Sequence, residues 1–309
     1  MKPHKIVIAG GTGFLGDVLI KAYSNTDTEL VILSRKATFP PAKNIRYAIW
    51  DGKTLNTWKK ELDGCDVLIN LAGKSVNCRY TPENKDAIFS SRVDSTNILG
   101  EAINQCSQAP ALWINSSSAT IYKHSEDKAN DELTGETSNT FSERVCQTWE
   151  KTFFEHPTNP TVRKIALRTA IVLGTEGGVY PVLASLVKRG LGGAQGKGTQ
   201  YVSWLHSDDF IGIIEYLIQE KDLSGAINAC SPNPVRNETF MKYFRESLHI
   251  PIGLPTYSWM LKIGVVLMNT EEELVIKSRR VIPGILQNHG FKFQFEQLEE
   301  ALKSLAQKA

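Results

Sequence analysis

The sequence predicts a doubly wound α/β fold: a mainly parallel sheet covered by helices on both faces, followed by a smaller, mostly helical C-terminal lobe. Three observations carry this. Strand and helix signals alternate through the first 174 residues. The strands are apolar along their whole length, as strands buried on both faces are. A glycine-rich turn joins the first strand to the first helix.

Taken in order, IVIA at 6–9 is a short run of β-type residues, and residues 14–24 place Phe14, Leu15, Val18, Leu19 and Ala22 on one helical face. Further strands are read at LVIL (30–33), NIRYAIW (44–50), DVLINLA (66–72) and ALWINSS (111–117), with a sixth inside VRKIALRTAIVLG (162–174). A long helix over 82–106 carries Ile88, Val93, Ile98, Leu99, Ala102 and Ile103, and another covers 141–154. After residue 174 the pattern changes. GLGGAQGKG (190–198) is too rich in glycine for regular structure and reads as a flexible substrate lid. AINAC (226–230) is expected to return to the sheet as its last strand; SPNPVRN then breaks the chain before a helix at 238–249, and 231–309 forms a small helical appendage.

Composition narrows the function. Of 309 residues, 41% are hydrophobic and 22% charged, which fits a globular chain and argues against disorder. A net charge of +2 gives no general reason to expect nucleic acid as a partner. Five scattered cysteines without a CxxC pair argue against a disulfide framework or structural zinc and for a reducing compartment. No metal site is expected: Asp208 and Asp209 read as the acidic opening turn of a helix. WMLKIGVVLM (259–268) is too short to span a bilayer and reads as a buried or binding-surface helix. With IVIAGG following the first few residues directly, the expected location is cytoplasmic.

The chemistry begins at IVIAGGTGFLG (6–16). Gly10, Gly13 and Gly16 satisfy GxxGxxG, and Gly11, Gly13 and Gly16 satisfy GxGxxG. In either register the turn lets backbone approach a pyrophosphate, and the helix opening at Phe14 and Leu15 aims free N–H groups at that anion, with Thr12 in the loop. The second strand ends LSRK (33–36) with no carboxylate for a ribose hydroxyl; Arg35 and Lys36 stand where a 2′-phosphate would lie, with Ser34 as hydroxyl donor. NADP(H) is therefore the expected cofactor. Asp51 is a candidate for the adenine amino group, and Leu71, Ala72 and Gly73 end the fourth strand with residues that let backbone lie against the cofactor. Arg92 is a candidate for the phosphates or the nicotinamide-side ribose. On this reading residues 1–174, completed by about 206–232, form the dinucleotide-binding domain, and 175–205 with 233–309 form the substrate lobe.

In this order these residues resemble the extended short-chain dehydrogenase/reductase superfamily, which includes nucleotide-sugar epimerases. SSSATIY (116–122) is similar to its active-site serine strand, with Ser116 beside the cofactor and Ser118 as the hydroxyl that meets the reacting oxygen. LRTAIVLG (167–174) and WLHSDDF (204–210) resemble later segments of the same plan. PNPVRNETF and SRRVIPGILQNHGFKF resemble an atypical "epimerase family" branch of NADP-dependent oxidoreductases with a C-terminal domain of unknown function. The resemblance implies an NAD(P)-binding Rossmann fold, a small-molecule substrate and a monomer or homodimer.

The superfamily also carries a Tyr-x-x-x-Lys pair on the helix after the serine strand, with Tyr as general acid or base. Here Phe141 falls at the Tyr position and Val145 at the Lys position, continuing with Trp149 and Phe153 as an apolar stripe. Neither side chain moves a proton. Tyr122, Tyr201 and His206 are candidate substitutes. The expected function is accordingly an oxidoreductase or epimerase-like enzyme lacking the usual pair; the alternative is a catalytically weak or inactive NADP(H)-binding sensor or regulatory protein.

Overall fold

Strands with no polar face persist only between two layers of helix, and the chain alternates strand and helix accordingly. The computed structural model describes residues 3–36, 43–256, 271 and 273–308; the helix expected at 259–268 lies outside them. In chain order come β1 (Lys5–Ala9), α1 (Phe14–Tyr23), β2 (Glu29–Ser34), β3 (Ile45–Ile49), β4 (Val67–Asn70), α2 (Pro82–Asn104), β5 (Leu112–Ser118), α3 (Phe141–Glu155) and β6 (Arg163–Thr169). Then follow β7 (Ile171–Gly174), β8 (Gly177–Gly178), α4 (Tyr180–Lys188), β9 (Tyr201–Val202), β10 (Trp204–His206), α5 (Ser207–Gln219), β11 (Gly225–Ala229), β12 (Val235–Arg236) and α6 (Asn237–Ser247). Helices at Glu273–Ile276, Gly284–Asn288 and Leu298–Lys308 complete the described chain.

Seven strands form the central sheet in the order β11-β6-β5-β4-β1-β2-β3, and every neighbouring pair is parallel. The chain runs outward from β1 to β2 and β3, then crosses to the other side of β1 at β4. Such a reversal opens a crevice beyond the carboxyl ends of the strands. Side chains alternate between the two layers. Ile6, Ile8, Ile32 and Ile114 pack with Leu19 of α1 and with Phe210, Ile213 and Leu217 of α5. Val7, Val31, Leu68 and Trp113 face Ile98, Leu99 and Ile103 of α2 and Phe153 of α3. Fully burying one such side chain contributes about 1.5–3 kcal/mol, so these two layers hold the sheet that carries the cleft.

The structure departs from the sequence reading in two places. VRKIALRTAIVLG is two strands: β6 stays in the central sheet, while at Ala170 the chain turns aside, and β7 pairs with β10 and β8. The glycine-rich 190–198 segment is not a loose lid. Gly193 N and Gly196 N donate to Leu254 O and Thr256 O at 3.0 and 2.8 Å, and Leu254 N and Thr256 N donate back to Gly190 O and Ala194 O at 2.8 and 2.9 Å. Its glycines serve close approach of two backbones: a side chain at Gly193 would run into Leu254 and Pro255. A separate apolar cluster joins Tyr180 and Leu183 of α4, Phe240 and Phe244 of α6, and Leu302 and Leu305 of the last helix. Among the described residues no helix is long and apolar enough to cross a membrane.

Candidate functional site

The crevice at the switch point is a cleft of about 670 Å³ lined by Gly10, Thr12, Gly13, Ser34, Arg35, Asp51, Leu71, Ala72 and Gly73, all singled out from sequence. Gly10 has φ +73, and a Cβ there would stand 2.6 Å from Ala72 Cα; only glycine lets this turn pass the end of β4. Gly13 caps α1 without any side-chain hydrogen bond, and a Cβ on it would meet nothing within 4 Å. Gly13 thus opens α1 at the cleft with room beside it, and the first N–H groups of a helix have no intrahelical partner, the arrangement that receives a phosphate. These observations fit a dinucleotide.

The remaining loop residues support the turn. Gly11 packs against Ile8 and Ile32, and a side chain at Gly16 would strike Gly11 O, so it sets the approach of α1 to the strand. The Phe14 ring lies over Gly174, Gly177 and Gly178 and so ties the loop to the small sheet. Leu15 packs on the core.

At the outer end, Arg35 and Lys36 are exposed and only Arg35 lines the cleft. Ser34 Oγ donates to Lys36 O at 2.5 Å, leaving its oxygen an acceptor rather than the expected donor. Asp51 accepts from Lys53 N and Thr54 N at 2.9 Å and from Thr54 Oγ1 at 2.7 Å. The Thr54 hydroxyl and these backbone donors pull its carboxyl down to about 2. Lys53, Lys74 and the α2 residues Ser90, Ser91, Asp94 and Ser95 also line the cleft and were not foreseen.

Two buried asparagines, also missed, set the inner floor. Asn70 Nδ2 donates to Asn115 Oδ1 at 2.7 Å, and Asn70 Oδ1 accepts from Ala72 N at 3.0 Å, fixing the turn that faces Gly10. Their signal was available: each is a lone amide that closes an apolar run, VLIN in β4 and LWIN in β5, and a buried polar group needs a partner. Arg92 does not line the cleft. It lies beneath it, 3.2 Å from where a Gly73 Cβ would stand; it donates to Lys74 O and Ile88 O at 3.1 and 2.9 Å and sits 5.0 Å over the Trp149 ring. Burial holds its guanidinium below the usual range.

Ser116 and Ser118 end β5, and neither lines the cleft. Ser118 Oγ caps the following turn by accepting from Thr120 N at 3.2 Å, and it donates to Thr120 Oγ1 at 3.1 Å. Phe141 is boxed by the rings of Tyr80 at 4.7 Å and Phe89 at 5.6 Å, with Lys85 Nζ 5.3 Å from its centroid; Val145 is buried. The candidate substitutes are committed elsewhere. Tyr122 OH donates to Asn228 Oδ1 at 2.9 Å and accepts from Arg168 at 2.8 Å, and burial pushes its phenol up to about 12. His206 accepts from Asp208 N at 3.0 Å and stacks on Phe295 at 3.9 Å. Tyr201 lies between Arg236 and Arg280, whose guanidinium carbons are 5.9 and 4.6 Å from its ring centre.

Comparison with known proteins adds independent findings. The model of the NAD dependent epimerase/dehydratase family matches residues 6–230, and a domain of unknown function (DUF1731) matches 258–305. The epimerase family protein YfhF of Bacillus subtilis (strain 168) is 32% identical over 300 residues, covering 97% of each chain. The epimerase family protein SAR0825 of Staphylococcus aureus (strain MRSA252) is 30% identical over 305 residues, covering 98% of this chain and 99% of the relative. Among solved structures, human epimerase family protein SDR39U1 (isoform2) with NADPH matches with a TM-score of 0.86 at 25% identity, over 99% of this chain and 100% of that one. The nucleoside-diphosphate sugar epimerase from Corynebacterium glutamicum matches with a TM-score of 0.77 at 29% identity, over 99% of this chain and 58% of that longer one.

Proposed function

Because the chain belongs to the NAD dependent epimerase/dehydratase family, we propose that it binds NADP(H) in this cleft and acts as an atypical oxidoreductase or sugar-epimerase-like enzyme on a small molecule. One observation carries the choice of dinucleotide: the uncapped N-terminus of α1 and the Arg35 guanidinium open onto a single cleft, and β2 ends without a carboxylate. The structure of SDR39U1 with NADPH supports it.

Thr12, Gly13 and the first N–H groups of α1 hold the pyrophosphate, which Gly10, Leu71, Ala72 and Gly73 allow to approach backbone closely. Arg35, with Lys36 beside it, meets the 2′-phosphate by charge-assisted hydrogen bonds, and Asp51 faces the adenine amino group. Bound there, the nicotinamide supplies or accepts hydride. Ser118 could orient the reacting oxygen only by giving up the bond its single O–H makes to Thr120 Oγ1, and a neutral hydroxyl is a poor acid alone. Residues 1–174 with about 206–232 form the dinucleotide unit, and the separate apolar cluster supports a substrate lobe built from 175–205 and 233–309. Apolar packing of Phe141 and Val145 favours a second reading, a sensor that binds NADP(H) with little turnover.

Titration of nicotinamide fluorescence tests the binding. NADPH is expected to bind more tightly than NADH, and Arg35→Ala to weaken NADPH about tenfold or more while leaving NADH within twofold, from a charge-assisted bond of about 1.5–3 kcal/mol. Equal affinities in the wild type would remove the argument. Consumption of NADPH with a panel of carbonyl compounds then separates enzyme from sensor.

A further inference from the structure

The helix face that should carry Tyr and Lys is apolar, yet the polar space beside Ser118 is filled from elsewhere in the chain. Glu143, two residues into α3, is buried; it accepts from Thr140 N at 3.3 Å and from Ser138 Oγ. Burial alone would push its carboxyl up, but Lys277 and Ser138 hold it below the usual range. Lys277 reaches it across 134 positions of sequence with Nζ 2.5 Å from Glu143 Oε1, and both side chains are almost fully enclosed. The same ammonium donates to Thr120 O at 3.0 Å, in the turn that Ser118 caps. Arg279, two residues on, donates to Thr120 Oγ1 at 3.2 Å, the hydroxyl that accepts from Ser118. Cys146 of α3 packs with Ala119 and Ile121 in the turn that Ser118 caps, and Arg92, lying against Gly73 at the floor of the cleft, sits 5.0 Å over the Trp149 ring of the same helix.

An ammonium has three N–H bonds. Two of those on Lys277 are taken by Thr120 O and Glu143. We propose that the third is the donor to the reacting oxygen beside Ser118, so that Lys277, brought in by the C-terminal region, does the polar work that Phe141 and Val145 cannot. The inference rests on the dinucleotide reading above. In reduction, hydride from the reduced nicotinamide joins the carbonyl carbon, the C=O electron pair moves to oxygen, and Lys277 gives that oxygen a proton which water then restores. Glu143 is a positioning residue: it holds Lys277 in place without touching substrate.

The test uses the charge that NADP+ carries on its ring and NADPH does not. A cation near the nicotinamide weakens NADP+ relative to NADPH. At an effective dielectric of about 20, one unit charge within roughly 10 Å of the ring changes that ratio about tenfold or more. Titrating the full chain with each nucleotide, Lys277→Met is expected to lower the ratio Kd(NADP+)/Kd(NADPH) by about fivefold or more. Glu143→Gln, which leaves the ammonium without its anion, is expected to raise it. Lys277→Arg keeps the charge and the ratio within about twofold, and if Lys277→Met does not fold, Glu143→Gln decides alone. A merely structural tie between the C-terminal region and α3 would weaken both nucleotides together and leave the ratio unmoved in both variants; that result overturns the proposal. A wild type that binds neither nucleotide overturns the dinucleotide reading itself.

Discussion

Glu150 and Arg168 form a buried pair in which Arg168 Nε and Nη2 donate to the two carboxylate oxygens at 2.8 and 2.7 Å and Ser117 Oγ adds a third bond at 2.5 Å. Arg168 Nη1 continues the network to Tyr122 OH. The side chains are only 14% and 9% exposed, so water cannot replace a lost partner. In Glu150→Gln the amide presents N–H against N–H and leaves a buried guanidinium without its anion. Breaking such a pair costs about 3–5 kcal/mol, a large share of the roughly 5–15 kcal/mol that stabilises a protein. At about 2–4 °C per kcal/mol for a chain near this size, the melting temperature should fall by about 6–20 °C in calorimetry at pH 7. The double variant Glu150→Leu with Arg168→Met removes both charges and should recover most of the loss. A drop below about 2 °C in Glu150→Gln would show that the pair is screened and the argument wrong.

Other expectations follow from the same geometry. Gly10→Ala places a methyl group against Ala72 and forces φ +73 on an L residue; it should cost at least about 1–2 kcal/mol and weaken NADPH, measured by melting and fluorescence. Gly16→Ala should loosen α1 from the loop and weaken NADPH without changing the preference over NADH. His206 is fully buried, and burial holds its imidazole below its usual 6.5. The unfolded chain therefore takes up the proton first. Stability should be complete above about 6.5 and fall as pH drops below it. His206→Asn, which keeps an acceptor for Asp208 N, should flatten the melting curve between pH 7 and 5; an unchanged slope would count against this residue as the source.

The sequence by itself determined the sheet, its helical layers and the phosphate turn. Those rest on local physics: an unbroken apolar run must be covered on both faces, and a glycine beside a strand end frees backbone for an anion. That is why IVIA, LVIL and Gly10 to Gly16 could be read directly. Two-residue strands such as Tyr201–Val202 and Val235–Arg236 are too short to show a period, and the switch of sheets at Ala170 leaves no mark in an apolar run. Only the tertiary structure decided the polar interior. Asn70 meets Asn115, Glu150 meets Arg168, and Lys277 meets Glu143 from far along the chain. A charged side chain becomes a buried partner when folding removes its water and supplies an opposite charge, and nothing in its own neighbourhood of sequence records which residue that will be.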